Sequence, residues 1–210
     1  MNDTKYGIAE KLLQIKAIKL QPTNPFTWAS GWKSPIYCDN RLTLSYPEIR
    51  DYVRDAFVDY IKKEYTDIDV IAGVATGAIA QGVLVAEALN LPFVYVRPEA
   101  KSHGMGNKIE GYLEKGQKVL VIEDLISTGG SSLKAVAALR DFGAEVLGMV
   151  AIFTYAFANS EENFKKANCK LHTLSNYHAL IEYARSIDYI KQEEVETLKK
   201  WRENPANWLS

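Results

Sequence analysis

The chain has 210 residues, 47% of them hydrophobic and 24% charged, which suits an α/β domain with an appendage and argues against disorder or a fibrous architecture. Lys and Arg number 25 against 26 Asp and Glu, so the net charge of -1 gives no whole-molecule pull toward nucleic acid or an anionic membrane, and any basic site must be local. No stretch approaches the roughly 20 apolar residues that span a bilayer, and the distant Cys38 and Cys169 form neither a disulfide framework nor a zinc motif, so a cytoplasmic location is expected.

Taken in chain order, MNDTKYGIAEKLLQ and the residues after it place Ile8, Leu12, Ile15 and Ile18 at helical spacing, an amphipathic helix rather than a signal-peptide core. The turn formers of QPTNPFTWASGWKSPIYCDNR argue against one long element there, so residues 1–45 read as a helix and a small hood over a sheet, with 46–210 as one α/β core with C-terminal helices. Pro47 suits the first position of a helix carrying Ile49, Val53, Phe57, Tyr60 and Ile61 on one side. From there, β-branched runs at 69–73, 93–97, 118–124, 145–153 and 170–174 alternate with helical patterns, which implies a mainly parallel central sheet flanked by helices. One intervening helix, 131–142, has Leu133, Val136, Ala137 and Leu139 as its apolar face and Gly143 as its stop. The segment 191–203, acidic early and basic late, fits a last helix. His172 and His178 lack metal-ligand spacing and read as structural.

The most informative segment is Val119-Leu120-Val121-Ile122-Glu123-Asp124-Leu125-Ile126-Ser127-Thr128-Gly129-Gly130-Ser131. A buried strand here ends in two acids and a hydroxyl- and glycine-rich turn that opens a helix. In an open α/β sheet ligands bind beyond the carboxyl ends of strands, so Glu123 and Asp124 can accept hydrogen bonds from sugar hydroxyls. Residues 127–131 bring amides and hydroxyls to a helix N-terminus, the chemistry of a phosphate cradle. Neither a Walker A lysine nor a G-x-G-x-x-G fingerprint is present. A second segment, 94–111, leaves a strand and turns basic and glycine-rich, offering Arg97, Lys101 and His103 as donors to a diphosphate and Gly104, Gly106 and Gly111 as joints of a lid. A third, Phe26 to Tyr37, carries Ser30-Gly31 and Ser34-Pro35 among aromatic residues.

The run VLVIEDLISTGGSS resembles the phosphoribosyl pyrophosphate motif of the type I phosphoribosyltransferases. The R-x-x-x-K-x-H-G pattern at 97–104 and the F-x-x-x-S-G-x-x-S-P pattern at 26–35 resemble the catalytic loop and the hood of the orotate phosphoribosyltransferases, in that family's order. The resemblance implies the type I phosphoribosyltransferase fold and transfer of a phosphoribosyl group from phosphoribosyl pyrophosphate to orotate, with Mg²⁺ held mainly by substrate and water. It implies Lys101, His103 and Asp124 as catalytic residues, and Arg97, Lys101, His103 and residues 123–131, including Leu125 and Ile126, on phosphoribosyl pyrophosphate. Ser127 and Tyr37 would meet orotate. It further implies a homodimer in which the 98–110 loop reaches the neighbouring subunit's site, with no nucleic-acid or membrane partner. The chain departs from many members at Ala29, Thr76 and Pro98, where they carry basic residues, and lacks the arginine some use on orotate after strand 145–153. A purine phosphoribosyltransferase and a non-enzymatic, RNA-binding regulator on the same fold remain open alternatives at this point.

Overall fold

In the computed structural model, which describes residues 4–28, 31–97 and 108–208, helix α1 (Thr4–Gln14) buries Ile8, Ala9, Leu12 and Leu13. The helix is shorter than the apolar spacing suggests. Lys16 adopts a φ of 57°, a left-handed geometry that ends helices, and Ile18 falls instead in β1 (Ile18–Leu20). Strands β2 (Phe26–Thr27) and β3 (Lys33–Ser34) pair antiparallel, and β4 (Ile36–Cys38) returns antiparallel to β1 with Cys38 opposite Ile18. A 3₁₀ turn (Asn40–Ser45) leads into α2 (Pro47–Glu64), whose Pro47 occupies the first turn and whose Ile49, Val53, Phe57 and Ile61 are buried.

The core comprises β5 (Val70–Val74), α3 (Ile79–Leu89), β6 (Phe93–Val96), β7 (Ile109–Glu110), β8 (Lys118–Ile126), α4 (Gly130–Phe142), β9 (Glu145–Thr154), α5 (Ala158–Lys166), β10 (Leu171–Asn176), α6 (Tyr177–Ser186) and α7 (Gln192–Glu203). One sheet has the order β10-β9-β8-β5-β6-β7, parallel throughout except for β7 at the edge. From β5 the chain moves outward to β6, then returns across β5 to β8 and continues outward to β9 and β10. The order therefore reverses between β5 and β8, the position at which open α/β sheets bind their ligands.

Alternation along β8 assigns its side chains to two cores. Leu120 and Ile122 join the cluster under α1, α2, α3, α6 and α7, whereas Val119 and Val121 face Ala135, Val136 and Leu139 of α4. Strands buried on both faces explain the near-continuous apolar runs. β8 is longer than its apolar run: it pairs with β9 through Leu125–Phe153 and Ile126–Thr154, so the two acids lie inside the strand rather than beyond it. Gly143, with a φ of 104°, ends α4.

Candidate active site

The loop after β5 and the end of β8 border a cleft of about 310 Å³, lined by Cys38, Asp39, Arg41, Val74–Gly77, Glu123, Asp124, Leu125 and Ser131. Two helices begin at this rim: α3 after the 75–78 loop and α4 after the turn at 127–129. Their first amides precede any intrahelical acceptor and, with the helix dipole, favour anions. The approach is close, since a Cβ on Gly77 would sit 2.2 Å from Asp124 Oδ2, so a side chain there would displace either the carboxylate or the loop.

Glu123 and Asp124 point to opposite sides of the strand. Glu123 is 4% exposed, on the α4 side; its Oε2 accepts from Ser132 Oγ at 2.8 Å and its Oε1 from the Asp124 amide at 2.9 Å. Burial, and then the adjacent Asp124 charge, hold the Glu123 carboxyl well above the usual carboxylate range. Its hydrogen bonds thus fix the backbone of Asp124 and the first turn of α4. Asp124 lies on the hood side, half-buried, beside Gly77. Asn40, 2% exposed, donates from Nδ2 to the Asp124 carbonyl at 2.6 Å, and its Oδ1 accepts from the Cys38 thiol at 3.2 Å. Burial, then the charges of Asp124 and Asp39, push the Cys38 pKa up, so this group stays a neutral donor.

The turn after β8 keeps Ser127 and Thr128 half-buried, turns at Gly129 with a φ of 79°, and exposes Gly130 and Ser131 at the start of α4. The conformation of Gly129 suits a residue without Cβ, and the aromatic ring of Phe164 packs against it. Asn163 Nδ2 donates to the Thr128 carbonyl at 3.0 Å, tying the turn to α5.

Other sequence-derived candidates are placed differently. Ile126 is fully buried in the α4-side core, its side chain away from the cleft, and pairing with Thr154 keeps it in the sheet. Leu125 lines the cleft as an apolar wall. Arg97, just past β6, is outside the cleft lining, with Nε 3.5 Å from Glu110 Oε1 and its guanidinium over the Tyr95 ring. Tyr37, 42% exposed, packs on Phe26 in the hood and is not part of the cleft wall. Lys101 and His103 lie outside the described residues, as do Ala29 and Pro98. His172 stacks on Tyr60 with ring centroids 3.5 Å apart, and no His/Cys/Asp/Glu cluster able to hold a metal occurs among the described residues.

Sequence reasoning missed the 75–78 loop as a wall and missed Asn40 and Arg41 altogether. It also missed what seats the hood: Trp201 of α7, fully buried, donates its indole N–H to the Lys33 carbonyl at 3.2 Å and meets Trp28 edge-on at 5.7 Å. Trp28 in turn donates to the Ile36 carbonyl at 3.1 Å.

A strand that carries a carboxylate to the switch point and then bends into a hydroxyl- and glycine-rich turn at a helix start suits a phosphoribosyltransferase, and residues 44–186 match the family described as "Phosphoribosyl transferase domain". The orotate phosphoribosyltransferase of Cytophaga hutchinsonii is 58% identical over 99% of this chain and 99% of its own, and that of Bacteroides thetaiotaomicron 62% identical over 99% and 98%. Among solved structures, Leishmania donovani UMP synthase is similar with a TM-score of 0.80 and 27% identity, covering 94% of this chain and 42% of that longer one. The chain belongs to the orotate phosphoribosyltransferase family.

Proposed function

We propose that this enzyme joins orotate to the ribose 5-phosphate of phosphoribosyl pyrophosphate, giving orotidine 5'-phosphate and pyrophosphate for pyrimidine nucleotide synthesis. The observation that carries the reading is that Asp124, the 75–77 loop beside it and Ser131 at the start of α4 line one cleft at the switch point, with the 127–129 turn leading into that helix. Asp124 accepts from the ribose hydroxyls, with Glu123 behind it as its support. The turn and the N-terminus of α4 take the 5-phosphate, and the loop at the N-terminus of α3 takes the diphosphate. Ser127 and Tyr37 serve the base.

In the reaction an orotate ring nitrogen bonds to C1 of the ribose as the C1–O bond to pyrophosphate breaks. The electron pair leaves on the pyrophosphate oxygen, and the sugar passes through an oxocarbenium-like state. The protein supplies no nucleophile. Lys101 and His103, with Arg97, are assigned to the leaving group, and closure of 98–110 excludes the water that competes with orotate. Mg²⁺ fits this site because it keeps several waters and prefers substrate oxygens over a protein cage; of the cleft residues, Asp124 can hold its aqua shell. When bound, it supplies charge neutralisation at the diphosphate.

A homodimer with the 98–110 loop donated across the interface belongs to the same reading. Two free thiols, Cys38 and Cys169, support a cytoplasmic location, and among the described residues no helix is long and apolar enough to cross a membrane. Orotate loss by purified protein with phosphoribosyl pyrophosphate and Mg²⁺, compared with adenine, hypoxanthine and uracil, tests the assignment. Turnover with orotate and its arrest by a chelator are expected; preference for a purine would overturn it.

A further inference from the structure

Resting on the phosphoribosyl pyrophosphate reading, we propose that Arg41 is a pyrophosphate-binding residue, its guanidinium held from behind by Asp39 and presented to the diphosphate between the 75–77 loop and Asp124. Arg41 is the one Lys or Arg among the described residues lining this cleft, whose carboxylates on the open side are Asp39 and Asp124, the buried Glu123 being held toward its neutral form. Without Arg41 these side chains would present a lining that repels a polyanion. The loop Ala75-Thr76-Gly77-Ala78 that borders the same space contributes no cation.

The geometry of the guanidinium leaves it ready for a second anion. Nε donates to Asp39 Oδ1 at 2.7 Å and Nη2 to Asp39 Oδ2 at 2.9 Å, which occupies the side edge. A guanidinium has five N–H donors, so the end edge formed by Nη1 and Nη2 keeps a fork suited to two phosphate oxygens. The Arg41 side chain is 60% exposed, so that fork meets solvent rather than protein.

Its position relative to the sugar is fixed through the backbone. The Arg41 amide donates to Asp39 Oδ1 at 3.2 Å, and the preceding residue is Asn40, hydrogen-bonded to the Asp124 carbonyl at 2.6 Å. The residue that carries the cation is thus tied, through its neighbour Asn40, to the residue that carries the ribose, by a hydrogen bond that spans 84 positions of sequence. As the C1–O bond breaks, the electron pair collects on the pyrophosphate oxygens, and a donor already held in place stabilises that charge without reorganising.

The test compares wild type with Arg41→Ala and Arg41→Lys in both directions of the reaction. We expect Arg41→Ala to raise KM for phosphoribosyl pyrophosphate, and for pyrophosphate in the reverse reaction, by about 10- to 100-fold, the usual weight of a charged hydrogen bond. KM for orotate and orotidine 5'-phosphate should hold. Arg41→Lys, which keeps the charge but loses the fork, should recover part of the loss. An unchanged KM for pyrophosphate overturns the proposal. So does a rise confined to orotate with loss of preference over uracil, which would put Arg41 on the base carboxylate. Calorimetric titration of inorganic pyrophosphate with Mg²⁺ into resting protein decides Arg41 separately: if wild type turned over nothing, the catalytic reading would fall, yet weaker pyrophosphate binding by Arg41→Ala would still support the assignment.

Discussion

Two carboxylates adjacent in sequence meet different surroundings because a strand sends successive side chains to opposite faces. Asp124 reaches the cleft, and Asp124→Asn should lower kcat/KM for phosphoribosyl pyrophosphate by about 10²–10³, the usual scale for a lost polar contact to a developing charge. Burial, against the two hydrogen bonds its carboxylate accepts, holds Glu123 toward the protonated form, so Glu123→Gln should raise the denaturant midpoint relative to wild type already at neutral pH and lose that advantage as pH falls below the ordinary carboxylate range. An equal fall at every pH would show that the carboxylate itself is needed. Gly77→Ala places a methyl against Asp124 and should cost as much activity as removing the carboxylate; a full-rate variant would mean that the loop shifts freely. The sequence makes residues 119–131 legible because all the chemistry lies in one contiguous run. Asn40 and Arg41 were not legible, since Asn40 matters through a contact with Asp124 made 84 residues away and Arg41 through the cleft it shares with that residue, and nothing local marks either.

The long elements were readable for a physical reason. Strands covered on both faces must be apolar at nearly every position, and α2 and α4 bury stripes at helical spacing. The hood strands were not readable, because pieces of two or three residues carry no period to detect. The end of α1 was missed because Lys16 adopts a left-handed conformation unusual for its residue type, and the extent of β8 because ladder pairing with β9 holds Ile126 past the acids. The hood depends on a distant element: Trp201 of α7 packs with Trp28, Tyr155, Phe157 and Tyr177. Trp201→Ala should destabilise the protein by about 3–5 kcal/mol by equilibrium denaturation, the range for large aromatic truncation, and should raise KM for orotate as the hood loosens. Loss of stability with orotate KM unchanged would separate α7 from the hood's function.

For the whole molecule, the reversal of strand order between β5 and β8 explains why residues from the hood, two loops and two helix starts converge on one space. If the 98–110 loop serves the neighbouring subunit, mixing inactive Lys101→Ala with inactive Asp124→Asn should rebuild about a quarter of the sites from one intact loop and one intact cleft. No recovery on mixing would confine the loop to its own subunit. The pH dependence of stability has a stated sign. Burial lowers the His172 pKa below 6.5, so its contribution is present above that value and is lost as pH falls through the lower folded one. Glu123, shifted upward, acts oppositely, with a contribution present in acid and lost as pH rises through its folded value. The denaturant midpoint at pH 5.5, taken relative to that at pH 7.5, should therefore be higher in His172→Phe, which keeps the stack on Tyr60, than in wild type; an identical difference removes His172 from the account. The contact between Trp28 and Trp201 also makes the protein its own optical gauge: with two of its four tryptophans joined beneath the β2–β3 hairpin, lifting that cover should wet Trp28 and move the emission to longer wavelength, so substrate capture can be followed by fluorescence without a label.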